Sequence, residues 1–203
     1  MLKNKKIEDK HRIGLAATIF IVSTAIIIGH YWLFDGYFWN CSMTLSKYVA
    51  QNLWSVIIFG ASNLIISAIF IDFIRNTKGY KTLWYVDMYA MVAGLIGISL
   101  FPDGLLNTPY DIHWTAYVHN VFAGIMFTSM IIAACIALKN KWKKILPSIS
   151  TTAYIIYSLA FMITFALDIA FSVSYILIWE LLFLTAFYAI IGSTKTRKHP
   201  IPN

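Results

Sequence analysis

Six apolar runs alternate with short polar segments along the chain: Ile13–Phe34, Ala50–Phe73, Leu83–Phe101, Trp114–Leu138, Ile145–Leu167 and Phe171–Gly192. A hydrocarbon core about 30 Å thick needs roughly 20 apolar residues per crossing helix, and each run meets that length. The pattern predicts an all-α, polytopic membrane protein: one domain over residues 1–203, folded as a bundle of six transmembrane helices. Composition agrees, with 59% hydrophobic and only 12% charged residues, against about 25% charged for a soluble domain. No length remains for a separate soluble domain.

The basic residues give this bundle a direction. Of sixteen Lys and Arg, all but Lys47 fall in alternate gaps: Lys3 to Arg12, Arg75 to Lys81, Lys139 to Lys144, and Lys195 to Lys198. Basic residues flanking membrane helices stay on the cytoplasmic side, so both termini are expected in the cytoplasm. The net charge of +7 does not indicate nucleic acid, because the cations lie in short segments where anionic headgroups attract them. The first apolar run follows a basic segment, as in a secretory signal. It is longer than a signal's apolar core and no small-x-small cleavage site follows, so it reads as a retained helix. Ile- and Lys-rich usage points to an AT-rich prokaryote, and hence to the cell membrane.

The connections differ by side. Ile74–Thr82 and Lys139–Lys144 are short and basic, whereas the outer segments Asp35–Val49 and Pro102–His113 carry acids and aromatics. Proline lacks a backbone donor, so Pro102 ends the third helix, and Asp103–Gly104 reads as a turn. Trp32, Trp39, Trp84, Trp114 and Trp142 cluster at the expected interfaces. Cys41 and Cys135 fall near opposite faces, too far apart for a disulfide. Gly94, Gly97 and the Gly60–Ala61–Ser62 run permit close helix approach, for internal packing or for self-association.

Ionisable groups inside apolar helices are expensive and are functional suspects. His119 lies about five residues into the fourth run, roughly 8 Å deep, and Glu180 about nine residues into the sixth, roughly 13 Å deep. His30 stands near the outer end of the first run. Asp103, Asp111, His113 and Asp168 crown the same side, so an acidic, His-containing patch forms if the helices converge. A carboxylate as deep as Glu180 calls for a partner, and His119 matches it in depth. The pair either carries chemistry or locks two helices together. Asn63, mid-membrane, either bonds across helices or lines a polar cavity. Asp72 and Asp87 lie near cytoplasmic ends, within reach of Arg75 or Lys81 for ion pairing. No Lys occurs within a run, which excludes a retinal-type Schiff base, and no zinc-protease pairing of His residues occurs.

Several segments resemble a known group. Ser42–Met43–Thr44–Leu45–Ser46–Lys47–Tyr48, continuing through Asn52–Leu53–Trp54–Ser55–Val56–Ile57–Ile58–Phe59 to Asn63, resembles the outer-loop signature of six-helix FRAG/DRAM/Sfk-type proteins and of a related prokaryotic six-helix family of unknown function. Leu100–Phe101–Pro102–Asp103 is similar to the exit of the third helix in the prokaryotic group. His119–Asn120–Val121–Phe122–Ala123–Gly124 and Trp179–Glu180–Leu181 resemble its fourth- and last-helix motifs. Here Lys47 replaces the usual loop acid, Tyr48–Val49 stand where Gly is usual, and the Trp precedes the Glu. The resemblance implies lipid-linked work, since eukaryotic relatives act in glycolipid-anchor remodelling, phospholipid distribution and autophagy.

Three functions are compatible with these residues. In the first, the protein engages membrane lipid or a lipid-linked molecule, with His119 and Glu180 at the polar centre and His30, Asp103 and Asn63 contacting the ligand. The second is an intramembrane hydrolase or transferase, metal-dependent or acid–base, in which His119 acts as base or ligand and Glu180 as proton shuttle. The third is a small proton-coupled transporter with Glu180 as its protonation site. Membrane lipids are the expected partners and nucleic acid is not. The sequence names no cofactor or metal.

Overall fold

Helices that are apolar on every side have no polar face to turn toward water, so they pack in the interior or in lipid. Four such helices appear in the computed structural model, which describes residues 2–34, 45–50, 52–103, 113–139 and 176–192. Every regular element among the described residues is an α-helix. In chain order these are α1 (Leu2–Phe34), α2 (Leu45–Ala50), α3 (Leu53–Asn76), α4 (Thr82–Leu100), α5 (His113–Lys139) and α6 (Ile176–Gly192). His11–His30 of α1, Leu53–Asn76, Thr82–Leu100 and Thr115–Ala137 are long and apolar enough to cross a membrane, and Glu180–Gly192 is a shorter apolar helix. The expected run Ile145–Leu167 lies outside the described residues.

Which apolar residues face inward is a matter of shape. Leu15, Ile21, Val22, Ile26, Leu64, Ile65 and Val86 are exposed, while Ala16, Phe20, Ile66, Phe70, Met88, Met130, Phe183 and Phe187 are buried. Contacts run from α1 to α3, α3 to α4, α4 to α5, α5 to α6 and α6 back to α1, so the five long helices close a ring. Aromatic side chains fill its middle, with Tyr188 against Phe20 at 5.7 Å and against Phe70 at 5.9 Å between centroids.

Helices α4 and α5 approach each other closely at two glycines. A Cβ on Gly94 would lie 2.7 Å from Met126 Cβ and 2.9 Å from its Cα, and a Cβ on Gly97 would overlap the Phe122 ring. Both glycines therefore serve packing within the chain. Their role in self-association, left open by the sequence, is not needed to explain them. Phe122 fits over Gly97 and stacks on Phe101, with ring centroids 5.9 Å apart and planes 5° from parallel.

The segment Asp35–Val49, expected as an outer connection, departs from that reading in its described part. Its last five residues belong to α2, and Ala50, expected to open the second spanning helix, ends α2 instead. Leu45, Tyr48, Val49 and Ala50 are all buried, so α2 inserts among the other helices and contacts α1 and α3. The chain then restarts at Asn52, whose side-chain oxygen accepts from the Ser55 N–H at 3.0 Å and caps α3. Capping of this kind satisfies one of the orphan donors of a helix start.

At the other end of α3 the ion pairing also differs from expectation. Asp72 pairs with Arg12 of α1 at 2.9 Å and accepts from Asn76 at 2.8 Å, rather than meeting Arg75 or Lys81. Asp87 faces inward with Trp84, Met88 and Met91, all buried. Its Oδ2 has no partner, because the register of α4 turns it away from the exposed Arg75 and Lys81. Between α3 and α4 the chain turns through Gly79 at φ 93°, a left-handed conformation that glycine adopts without a Cβ clash. Tyr80 stacks on Trp84 at 4.3 Å, and the Tyr85 hydroxyl donates to the Thr77 carbonyl at 3.0 Å.

The α4–α5 contact makes a direct prediction. Gly94→Ala overpacks against backbone, which costs about 1–3 kcal/mol, and should lower the thermal unfolding midpoint in detergent. Gly14→Ala, with nothing within 4 Å of the added carbon, should not. Equal midpoints for the two variants would remove close approach as the reason for glycine at position 94.

Candidate functional site

All six described helices contribute to one cavity of about 30 Å³. Its lining carries polar groups from Ser46 of α2, Asn63 of α3, His119 of α5, and Glu180 and Tyr188 of α6, and the rest is apolar, including Phe20, Leu95, Met126, Met130 and Leu184. Three of the residues singled out by sequence thus come together. Asn63 and His119 are each 3% exposed and Glu180 is 6% exposed. Asp103, half-buried just past the end of α4, is within electrostatic range of both His119 and Glu180. His30 is different: its side chain is exposed on α1 and does not line the cavity. Asp111 and Asp168 lie outside the described residues, as does the His113 side chain.

His119 and Glu180 meet through α2 rather than through each other. The Leu45 backbone N–H, first in α2, donates to Glu180 Oε2 at 2.7 Å. One residue later, Ser46 Oγ lies 2.9 Å from His119 Nε2. The other ring nitrogen, Nδ1, lies 2.7 Å from the Phe101 carbonyl oxygen. A carbonyl only accepts, so Nδ1 must carry a proton. In the neutral ring Nε2 then offers a lone pair, and the Ser46 hydroxyl donates to it.

Sequence reasoning missed Ser46 because it treated Asp35–Val49 as a loop. A signal was present: Leu45, Tyr48 and Val49 follow the i, i+3, i+4 spacing of one helical face, and all three are buried. The bonding of Ser46 to a residue 73 positions away has no counterpart in local pattern.

The sequence pattern of a family described as a protein of unknown function (DUF998) matches residues 15–194. The chain belongs to the DUF998 family. No curated protein and no solved structure matches it. Membership agrees with the expected family of unknown function, and the FRAG/DRAM/Sfk-type likeness rests on the motifs alone. Every cavity-lining residue of this DUF998 chain falls inside the matched stretch.

Asn63 stands apart from the other polar groups. Its Nδ2 is buried and makes no hydrogen bond, although nearly all buried polar atoms in native proteins find a partner. The cavity beside it is large enough for a water molecule. Among the described residues of this DUF998 chain, no three His, Cys, Asp or Glu side chains converge as a metal site requires. His119 has both ring nitrogens engaged, so coordinating a metal would cost it one of these bonds.

The carboxylate at Glu180 can be tested as the anchor of α2. Glu180→Leu leaves the Leu45 N–H buried without an acceptor, a penalty of about 1–3 kcal/mol. Glu180→Gln retains an oxygen acceptor and should retain most of the stability. Detergent unfolding midpoints for the two variants should therefore separate. Identical midpoints would show that this bond does not hold α2.

Proposed function

We propose that this protein is a cell-membrane protein of six spans and a single domain, with both termini cytoplasmic, that binds a lipid or lipid-linked molecule in the cavity beneath α2. The observation carrying this reading is the two-part lining of the cavity. Ser46, His119 and Glu180 gather at α2, while Phe20, Phe127, Met126, Met130 and Leu184 line apolar wall. A mostly apolar pocket with a few convergent polar groups is the general form of a small-molecule site, and an amphiphile matches both parts. Unbranched Met126 and Met130 allow the wall to repack around a chain.

At about 30 Å³ the cavity holds water but not an acyl chain, so its apolar wall must part to admit one while α2 stays bonded to Glu180 and His119. Phe20 and Tyr188 line both the cavity and a groove of about 500 Å³ between α1 and α6. Apolar surface therefore continues from the cavity to the flank of the helices.

Photo-crosslinking tests the binding. In proteoliposomes of phosphatidylethanolamine and phosphatidylglycerol doped with a diazirine-bearing phospholipid, adducts should map to Met126, Met130 or Leu184. Adducts restricted to outward residues such as Leu15 and Val86 would remove the reading. Topology has its own test, in a background lacking Cys41 and Cys135. A membrane-impermeant maleimide should label Asn107→Cys in intact cells and leave Lys78→Cys unlabelled, and the reverse pattern would invert the orientation.

A further inference from the structure

We propose that Ser46 and His119 form a nucleophile–base pair that cleaves an ester-linked acyl group of a lipid held in this cavity, an inference that rests on the lipid-binding reading above. A hydroxyl becomes an effective nucleophile when an adjacent base takes its proton and a third group orients that base. All three parts are present. Ser46 Oγ is 2.9 Å from His119 Nε2, within reach for proton transfer. The Phe101 carbonyl, 2.7 Å from Nδ1, fixes the tautomer and the ring plane. Glu180 anchors the neighbouring residue, Leu45, at 2.7 Å, so the serine is held against the ring by both its side chain and its backbone.

Two further features distinguish this arrangement from a latch that only fastens α2. Acyl transfer develops negative charge on the former carbonyl oxygen, and a preorganised donor aimed at that charge supplies much of the rate. Asn63 Nδ2 is a buried donor without a partner that lines the same cavity, and a latch has no use for it. The reaction also makes His119 transiently cationic. Burial of the ring opposes that cation, and the Asp103 carboxylate, within electrostatic range, offsets part of the opposition.

The steps balance with water as the only co-reactant. Ser46 Oγ bonds to the ester carbonyl carbon while its proton passes to His119 Nε2, and the oxyanion turns toward Asn63. The carbon–oxygen bond to the alcohol then breaks, and Nε2 returns the proton to the departing alkoxide. Water adds to the acyl-serine, giving its proton to Nε2. The acid leaves as the carbon–Oγ bond breaks and Ser46 regains its proton. Ester and water become acid and alcohol.

A long-chain alkyl fluorophosphonate tests the pair on the full-length protein in proteoliposomes. The Ser46 oxygen should displace fluoride, giving a phosphonylated peptide that mass spectrometry assigns to Ser46. Ser46→Ala should abolish the adduct. His119→Ala, with the serine intact, should slow it about 10²-fold or more, and Asn63→Leu should slow it about 10²- to 10³-fold. Ser46→Cys, in a background lacking Cys41 and Cys135, retains a nucleophile and should be alkylated by iodoacetamide faster than the same variant carrying His119→Ala, a difference that unfolded protein would not show. The phospholipid photo-crosslink, run in parallel, separates the two readings. Crosslinks at Met126 or Met130 without any Ser46 adduct would overturn the dyad and leave lipid binding in place. Loss of both signals would overturn both, and equal labelling rates in wild type and His119→Ala would overturn the role of the base.

Discussion

A helix of six residues packed among apolar neighbours has backbone donors with few partners in reach, and leaving one unpaired in an apolar setting is costly. That constraint organises the centre of this molecule. Glu180 from α6 answers the first N–H of α2, and His119 from α5 answers the serine that follows. Without these two bonds α2 has no favourable place inside the ring, and without α2 Glu180 loses its donor and His119 keeps only the Phe101 carbonyl. Each side of the arrangement makes the other affordable. The polar centre is consequently small, specific in its donors and acceptors, and surrounded by packed hydrocarbon.

Packing upstream of the centre sets its geometry. The absence of a side chain at Gly97 leaves room for the Phe122 ring, and that ring stacks on Phe101. Pro102 ends α4 and restricts Phe101 to a non-helical conformation, observed at φ −123° and ψ 84°. The Phe101 carbonyl is thereby directed to His119 rather than spent inside the helix. A glycine chosen for helix contact, a stacked aromatic pair and a helix stop thus combine to orient one imidazole. The functional reading depends on this sequence of contacts as much as on the residues that would touch a ligand.

The cavity combines a polar end at Ser46, His119 and Glu180 with an apolar wall. Its one unpaired donor, Asn63, is the clearest departure from the rule that buried polar groups are satisfied. Thr24, Ser67, Trp84 and Asp87 also hold unpaired polar atoms, but none of them lines this cavity. Location next to space, rather than lack of a partner alone, separates the two cases.

Apolar run length was enough to locate the long helices among the described residues, because crossing hydrocarbon demands a minimum of consecutive apolar positions whatever lies beside them. Expense of burial was enough to mark His119, Glu180 and Asn63, since such residues are not kept in apolar helices without a reason. Neither argument could supply Ser46, the inward turn of α2 or the outward turn of His30. Those depend on which face of each helix meets its neighbours, and in helices that are apolar all round the sequence carries little record of facing. Side-chain shape decides it, through Gly94 and Gly97 against Met126 and Phe122, and only the packed structure shows the result.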